Sequence, residues 1–190
     1  LKKIEPKSKE TRSITLDKPD DCPRYVGRVL SGVSPSTRSP DIIRERLRRS
    51  DVRSVDALVD ITNYLMLETG QPMHAFDNDR LKDGIVVRRA KPSEQLTLLD
   101  GQELTLNKDN LVIADGSGPI ALGGIKGGAS TMISEQTSSL FLEAASFNPD
   151  CIARTARQLS INSDAAHRFE RGVDFNLPAL AIERASALVI

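Results

Sequence analysis

The sequence predicts an α+β domain: an antiparallel or mixed sheet in the middle of the chain, with helices before and after it. Three observations carry that reading. Short apolar runs separated by turn residues occupy positions 85–147, apolar residues at helical spacing precede them, and helix signals return at Asn148-Pro149.

Residues 1–20 are polar, with Lys2, Lys3, Glu5, Lys7, Lys9 and Glu10, and read as a linker or poorly ordered arm ahead of a domain spanning 21–190. Residues 25–30 alternate and include β-branched side chains, which predicts a strand. Ser39-Pro40-Asp41 opens a helix, with Ser39 as N-cap and Pro40 in the first turn. Its apolar positions Ile42, Ile43 and Leu47 interleave with Arg44, Arg46, Arg48 and Arg49, the pattern of a solvated amphipathic helix or of an RNA contact. Val55, Leu58, Val59, Ile61 and Leu65 place a second helix over 54–67, and Gly70 ends it.

The period then shortens. Residues 85–90 and 95–99 predict strands, Asp100-Gly101 a tight hairpin turn, and 103–106 the return strand. Residues 111–114 predict a further strand, 115–119 a turn, and 120–128 a loop with paired glycines. Residues 139–147 read as a buried strand, followed by a helix from Asn148-Pro149 through 159. Helical spacing over 180–190 meets no stop signal, and the chain is expected to be cut from a longer protein within that helix.

Composition narrows the function classes. With 39% hydrophobic and 27% charged residues the chain is globular rather than disordered. Twenty-six basic residues against 26 acidic ones leave no net charge, so an RNA partner must be met by a local basic patch. Cys22 and Cys151 lack metal-ligand spacing and read as free thiols in a reducing compartment. No signal peptide and no bilayer-length apolar run is present, so a cytoplasmic location without a membrane partner is expected.

Three features could carry chemistry. His74, one of two histidines, lies beside Pro72 and ahead of Phe76 and Asp77, and suits a structural or a chemical role. The run Gly123-Gly124-Ile125-Lys126-Gly127-Gly128 matches neither a P-loop nor a dinucleotide fingerprint, which leaves tight turns or close approach of backbone to a bulky group. Glu143 sits among Leu140, Phe141, Leu142, Ala144 and Ala145. A carboxylate so placed needs a polar partner, an arginine, or a cavity that a ligand fills. No nucleophile elbow, Cys-His motif or metal cluster appears.

Five motifs in order then resemble one family: residues 59–64, 70–77, 98–101, 123–128 and 163–174 are similar to the B3/B4 domain in the β subunit of bacterial-type phenylalanyl-tRNA synthetase. The likeness runs from about Tyr25 to the end. It implies a β-sandwich of unusual topology with flanking helices, and an editing site that hydrolyses tyrosine wrongly attached to tRNA(Phe). The family's editing residues fall on Arg53, His74, Gly127, Glu143, Ser163 and Ala165. Ser163 stands where threonine is common, keeping the hydroxyl and losing a methyl.

On this resemblance Glu143 and His74 are the catalytic pair: Glu143 grips the phenol, Gly127 and Ala165 make room for the ring or ester, and His74 and Arg53 orient the terminal ribose and phosphate or the attacking water, with a general-base role for His74 equally open. No cofactor is implied for this stretch. The whole enzyme is expected to use ATP and Mg2+, to place aminoacylation on its α subunit, and to assemble as an (αβ)2 heterotetramer. Rival readings are a non-catalytic tRNA-docking or subunit-assembly module and a free-standing relative acting in trans.

Overall fold

A computed structural model describes residues 4–190. In chain order the elements are β1 (Ile14–Leu16), β2 (Arg24–Ser31), α1 (Asp41–Arg49), α2 (Ala57–Thr69), β3 (Met73–Asp77), β4 (Ile85–Arg89), β5 (Gln95–Thr97) and β6 (Glu103–Thr105). There follow β7 (Leu111–Asp115), β8 (Gly118–Leu122), β9 (Lys126–Gly127), β10 (Ser139–Ser146), α3 (Pro149–Leu159), α4 (Asp164–Phe169) and α5 (Leu177–Val189). The expected α+β class holds, with antiparallel and mixed sheets and helices on either side in sequence.

A five-stranded sheet in the order β1-β4-β7-β8-β9 faces a three-stranded sheet in the order β2-β10-β3, and β5 and β6 form a separate hairpin. Strand β10 explains the layering. Every one of its residues is buried, because it is the central strand of its sheet and both faces are covered. On one face Phe141 and Ala145 join Phe76 and Tyr25 and meet Val87, Ile113 and Ala121 of the larger sheet. On the other face Leu142 and Ala144 join Leu30 and Ala75 and pack against Ile43, Leu47, Ile61, Leu65, Ala181 and Ile182 of α1, α2 and α5. The molecule is therefore layered as sheet, sheet and helices, and the face of β10 that carries Glu143 looks into the space between the sheets.

Four expectations about elements are corrected. The polar arm of residues 1–20 contains β1, which pairs in parallel with β4 from Ile14↔Ile85 to Leu16↔Val87. Ile14 and Leu16 pack on the inter-sheet core, and the Arg12 guanidinium is held by Asn78 and the Asp83 carbonyl. A three-residue alternation embedded in charged sequence was too short a signal to separate from linker.

Ser39 does not cap α1. The cap position is Pro40, without a side-chain hydrogen bond, and the Ser39 hydroxyl donates to Asp60 at 2.5 Å. The fully buried Asp60 carboxylate also accepts from the Ser54 hydroxyl and the Val55 N–H, so a charge-assisted tertiary bond wins over the local cap. The second helix starts at Ala57 rather than 54, because Asp56 accepts from the N–H groups of Leu58 and Val59 and sets the cap there. Finally, Ile120, Ala121 and Leu122 belong to β8 rather than to a loop, and the glycine turn proper begins after them.

Candidate functional site

A cavity of about 70 Å³ opens between the two sheets. It is several times the roughly 10–15 Å³ that a single water needs. His74, Gly127, Glu143 and Ala165 all line it, together with Lys126 and Phe169.

Glu143 is a buried part of its lining. It pairs in register with His74 on β3 and with Gly27 on β2. Directly opposed residues of an antiparallel pair project to one face with Cβ atoms about 4.5–5.5 Å apart, so the His74 and Glu143 side chains enter the cavity side by side. Glu143 is 6% exposed, and among the described residues its carboxyl has no hydrogen bond or ion pair. Burial pushes it up to about 8, which keeps the group largely protonated at neutral pH. Of the three options left by the sequence, the cavity is the one realised.

His74 forms a side wall. Its ring packs edge-to-face on Phe76, two residues along the same strand face, with centroids 4.5 Å apart. Enclosure by the surrounding core pushes the imidazole down to about 4, so it is neutral at pH 7 with a lone pair available. Gly127 on β9 lies against this ring: a Cβ there would fall 2.5 Å from His74 Cε1 and 2.6 Å from Nε2. The glycine is required by close approach rather than by a left-handed backbone. Gly124, at φ 68, does need the left-handed region, and a Cβ there would run into Phe147 and Ile152. The glycine run is thus filled by the protein's own packing, and it leaves no backbone cradle for a nucleotide's phosphates.

Ser163 and Ala165 arrive together at the start of α4. The Ser163 hydroxyl accepts from the Ala166 N–H at 3.1 Å and donates to the Ile125 carbonyl at 2.7 Å. One side chain caps the helix and ties it to the glycine turn, which sets Ala165 at the cavity wall. Ser163 itself braces the wall rather than lining it.

Arg53 is not brought to this cavity. It is exposed in the loop between α1 and α2, within the helical layer that covers the far face of the β2-β10-β3 sheet. Sequence reasoning missed Lys126 and Phe169 as lining residues. Lys126 stood inside the glycine run, so its flanks already marked it, whereas Phe169 is placed by tertiary contacts, its ring edge-to-face on Phe147 with centroids 5.0 Å apart.

The B3/4 domain family matches residues 21–190. The chain belongs to the B3/4 domain family. Among curated relatives, this B3/4 domain is 53% identical over 177 residues to the phenylalanine–tRNA ligase β subunit of Hahella chejuensis, a match covering 93% of the chain and 22% of the relative. It is 55% identical over 177 residues to the β subunit of the same name from Nitrosococcus oceani, with the same two coverages. The chain thus spans about a fifth of the length of the curated relatives it matches.

Among solved structures, an N-terminal fragment of the phenylalanyl-tRNA synthetase β-subunit from Pyrococcus horikoshii superposes with a TM-score of 0.52 at 17% identity. That match covers 76% of this chain and 46% of the other, a likeness of fold. No described helix is long and apolar enough to cross a membrane.

Proposed function

We propose that this B3/4 domain is the editing site of a phenylalanine–tRNA ligase β subunit, hydrolysing the ester of tyrosine mischarged onto tRNA(Phe). The observation that carries the reading is Glu143, a buried and unpartnered carboxyl facing a cavity between apolar walls. Phenylalanine and tyrosine differ by one hydroxyl, and an apolar synthetic pocket rejects an isostere with an added hydroxyl poorly. A second pocket with a neutral carboxyl at its end does the opposite. The protonated group both donates and accepts, so it can pair a phenol fully. A phenylalanyl ring leaves it unpaired at about 1–3 kcal/mol, or about five- to 150-fold in selection.

In the reaction, water adds to the ester carbonyl and the bond to the ribose oxygen breaks, releasing tyrosine and a free 3′ end. His74, held near 4, is a poor match for general-base work at neutral pH, where an efficient base titrates near the operating pH. Its neutral ring is suited to accept a hydrogen bond from a ribose hydroxyl or from the attacking water, which makes positioning its role. Gly127 lets the His74 ring lie directly against β9 at the cavity wall, and Ala165 leaves room for the aromatic group. Aminoacylation with ATP and Mg2+, and an α-subunit partner in an (αβ)2 assembly, belong to the whole enzyme.

The test uses the intact enzyme and tyrosyl-tRNA(Phe). Glu143→Ala and His74→Ala are each expected to slow deacylation about tenfold or more, the loss of one well-placed hydrogen bond. Unchanged deacylation in both variants would overturn the proposal.

A further inference from the structure

The cavity lining carries a cation that the hydrolysis described above does not use. Among the described residues, Lys126 is the single lysine or arginine that lines the cavity. Its ammonium is held by Asp100 at 2.5 Å, with the two side chains 27% and 50% exposed. Asp100 sits at the tip of the β5–β6 hairpin, and that tip is fastened to the strand bearing Lys126. The Leu99 N–H donates to the Gly127 carbonyl at 3.1 Å, and Leu98 bridges Gly128. The hairpin therefore holds Asp100 beside Lys126 through backbone bonds, while the ion pair itself is part-exposed, where such pairs are weak.

The cavity lining brings together a neutral carboxyl on β10, His74 opposite it on β3, and Lys126 and Gly127 in succession on β9. A tyrosyl ester of a terminal nucleotide has a matching order. The phenol is at one end, the ribose in the middle, and the 5′-phosphate beyond the ribose. With the phenol at Glu143 and the ribose toward Gly127 and His74, the phosphate falls toward Lys126, the next residue along β9. Several lone pairs on a phosphate compete well for an ammonium that is bonded to one exposed carboxylate oxygen. Resting on the editing reading above, we propose that Lys126 anchors the 5′-phosphate of the RNA's terminal nucleotide, with Asp100 as the side chain that holds the ammonium until the phosphate replaces it.

The experiment uses the intact enzyme, with its synthetic site saturated by a non-hydrolysable phenylalanyl adenylate. Calorimetry follows binding of 3′-deoxy-3′-(L-tyrosylamino)adenosine with and without a 5′-phosphate. In the wild type the phosphate is expected to tighten binding about fivefold or more at low ionic strength, and less as salt is added. That gain should vanish in K126A, persist in K126R, and grow in D100N, with the unphosphorylated analogue bound equally by all four proteins. A phosphate gain that survives K126A overturns the proposal and leaves the editing reading intact. Equal weakening of both analogues and of free tyrosine in K126A also overturns it, by assigning the lysine to the amino-acid portion of the ligand. Wild-type enzyme that binds neither analogue overturns the editing reading and this proposal together.

Discussion

Burial pushes the Glu143 carboxyl from its ordinary 4.5 up to about 8, and it pushes the His74 imidazole from 6.5 down to about 4. Each shift links folding to pH, with opposite sign. Between 4.5 and 8 the folded state holds the Glu143 proton more tightly than the unfolded chain does, so this contribution to stability falls as pH rises through the interval. Between 4 and 6.5 the unfolded chain takes a proton that folded His74 refuses, so that contribution falls as pH drops. The two oppose each other below 6.5, and above it Glu143 acts alone. Urea unfolding of the chain is expected to show stability declining from pH 6.5 to 8 by up to about 2 kcal/mol, and Glu143→Gln should flatten the slope. An equal slope in both proteins would show that the carboxyl is not buried in its neutral form. The oddity of Glu143 was legible in the sequence from its apolar neighbours. Its partner was not, because a cavity is a property of facing sheets and leaves no mark on adjacent residues.

At the scale of elements, α4 is only six residues long and depends on its ties. Ser163 supplies two of them, the cap on Ala166 and the bond to Ile125. Ser163→Ala is expected to cost about 1 kcal/mol of stability, as for other lost caps, and to slow tyrosyl-tRNA deacylation by releasing Ala165 from the wall. Ser163→Thr restores the hydroxyl and should restore both. Thermal melts and deacylation rates on the two variants check this, and a serine-to-alanine change that leaves both readouts untouched would remove Ser163 from the site's support. Elements with strong local codes were legible: the hairpin at Asp100-Gly101, the strand over 139–147 and the Asn148-Pro149 helix start all stand where their residues place them. Elements decided by long-range competition were not. Ser39 carries a good cap signature yet gives its hydroxyl to Asp60, twenty-one residues away, and β1 exists because β4 offers it an edge.

Across the whole molecule, 26 basic and 26 acidic side chains cancel, and six arginines between positions 38 and 53 share their surface with Asp41, Glu45 and Asp51. The Arg38, Arg44, Arg48 and Arg49 side chains are engaged by Asp41 and Glu45. A surface balanced in this way gives little counterion release on RNA, so this chain alone is expected to bind tRNA weakly and with a shallow salt slope. Filter binding across a salt series measures it, and tight, salt-insensitive binding by this chain would contradict the expectation. The layering also explains why Arg53 is left outside the cavity. Its loop belongs to the helical face of the β2-β10-β3 sheet, and Glu143 projects from the opposite one.

By itself the sequence determined the α+β class, most strands and turns, and four residues that share one cavity: His74, Gly127, Glu143 and Ala165. Strand period, turn chemistry and caps are local, so they can be read along the chain, and the family likeness supplied the grouping of distant residues. Only the tertiary structure decided the protonation of Glu143 and His74, the bracing role of Ser163, the exclusion of Arg53 and the place of Lys126 in the cavity lining. Those depend on desolvation and on which face of a shared sheet a residue occupies, and both are fixed by partners far away in sequence.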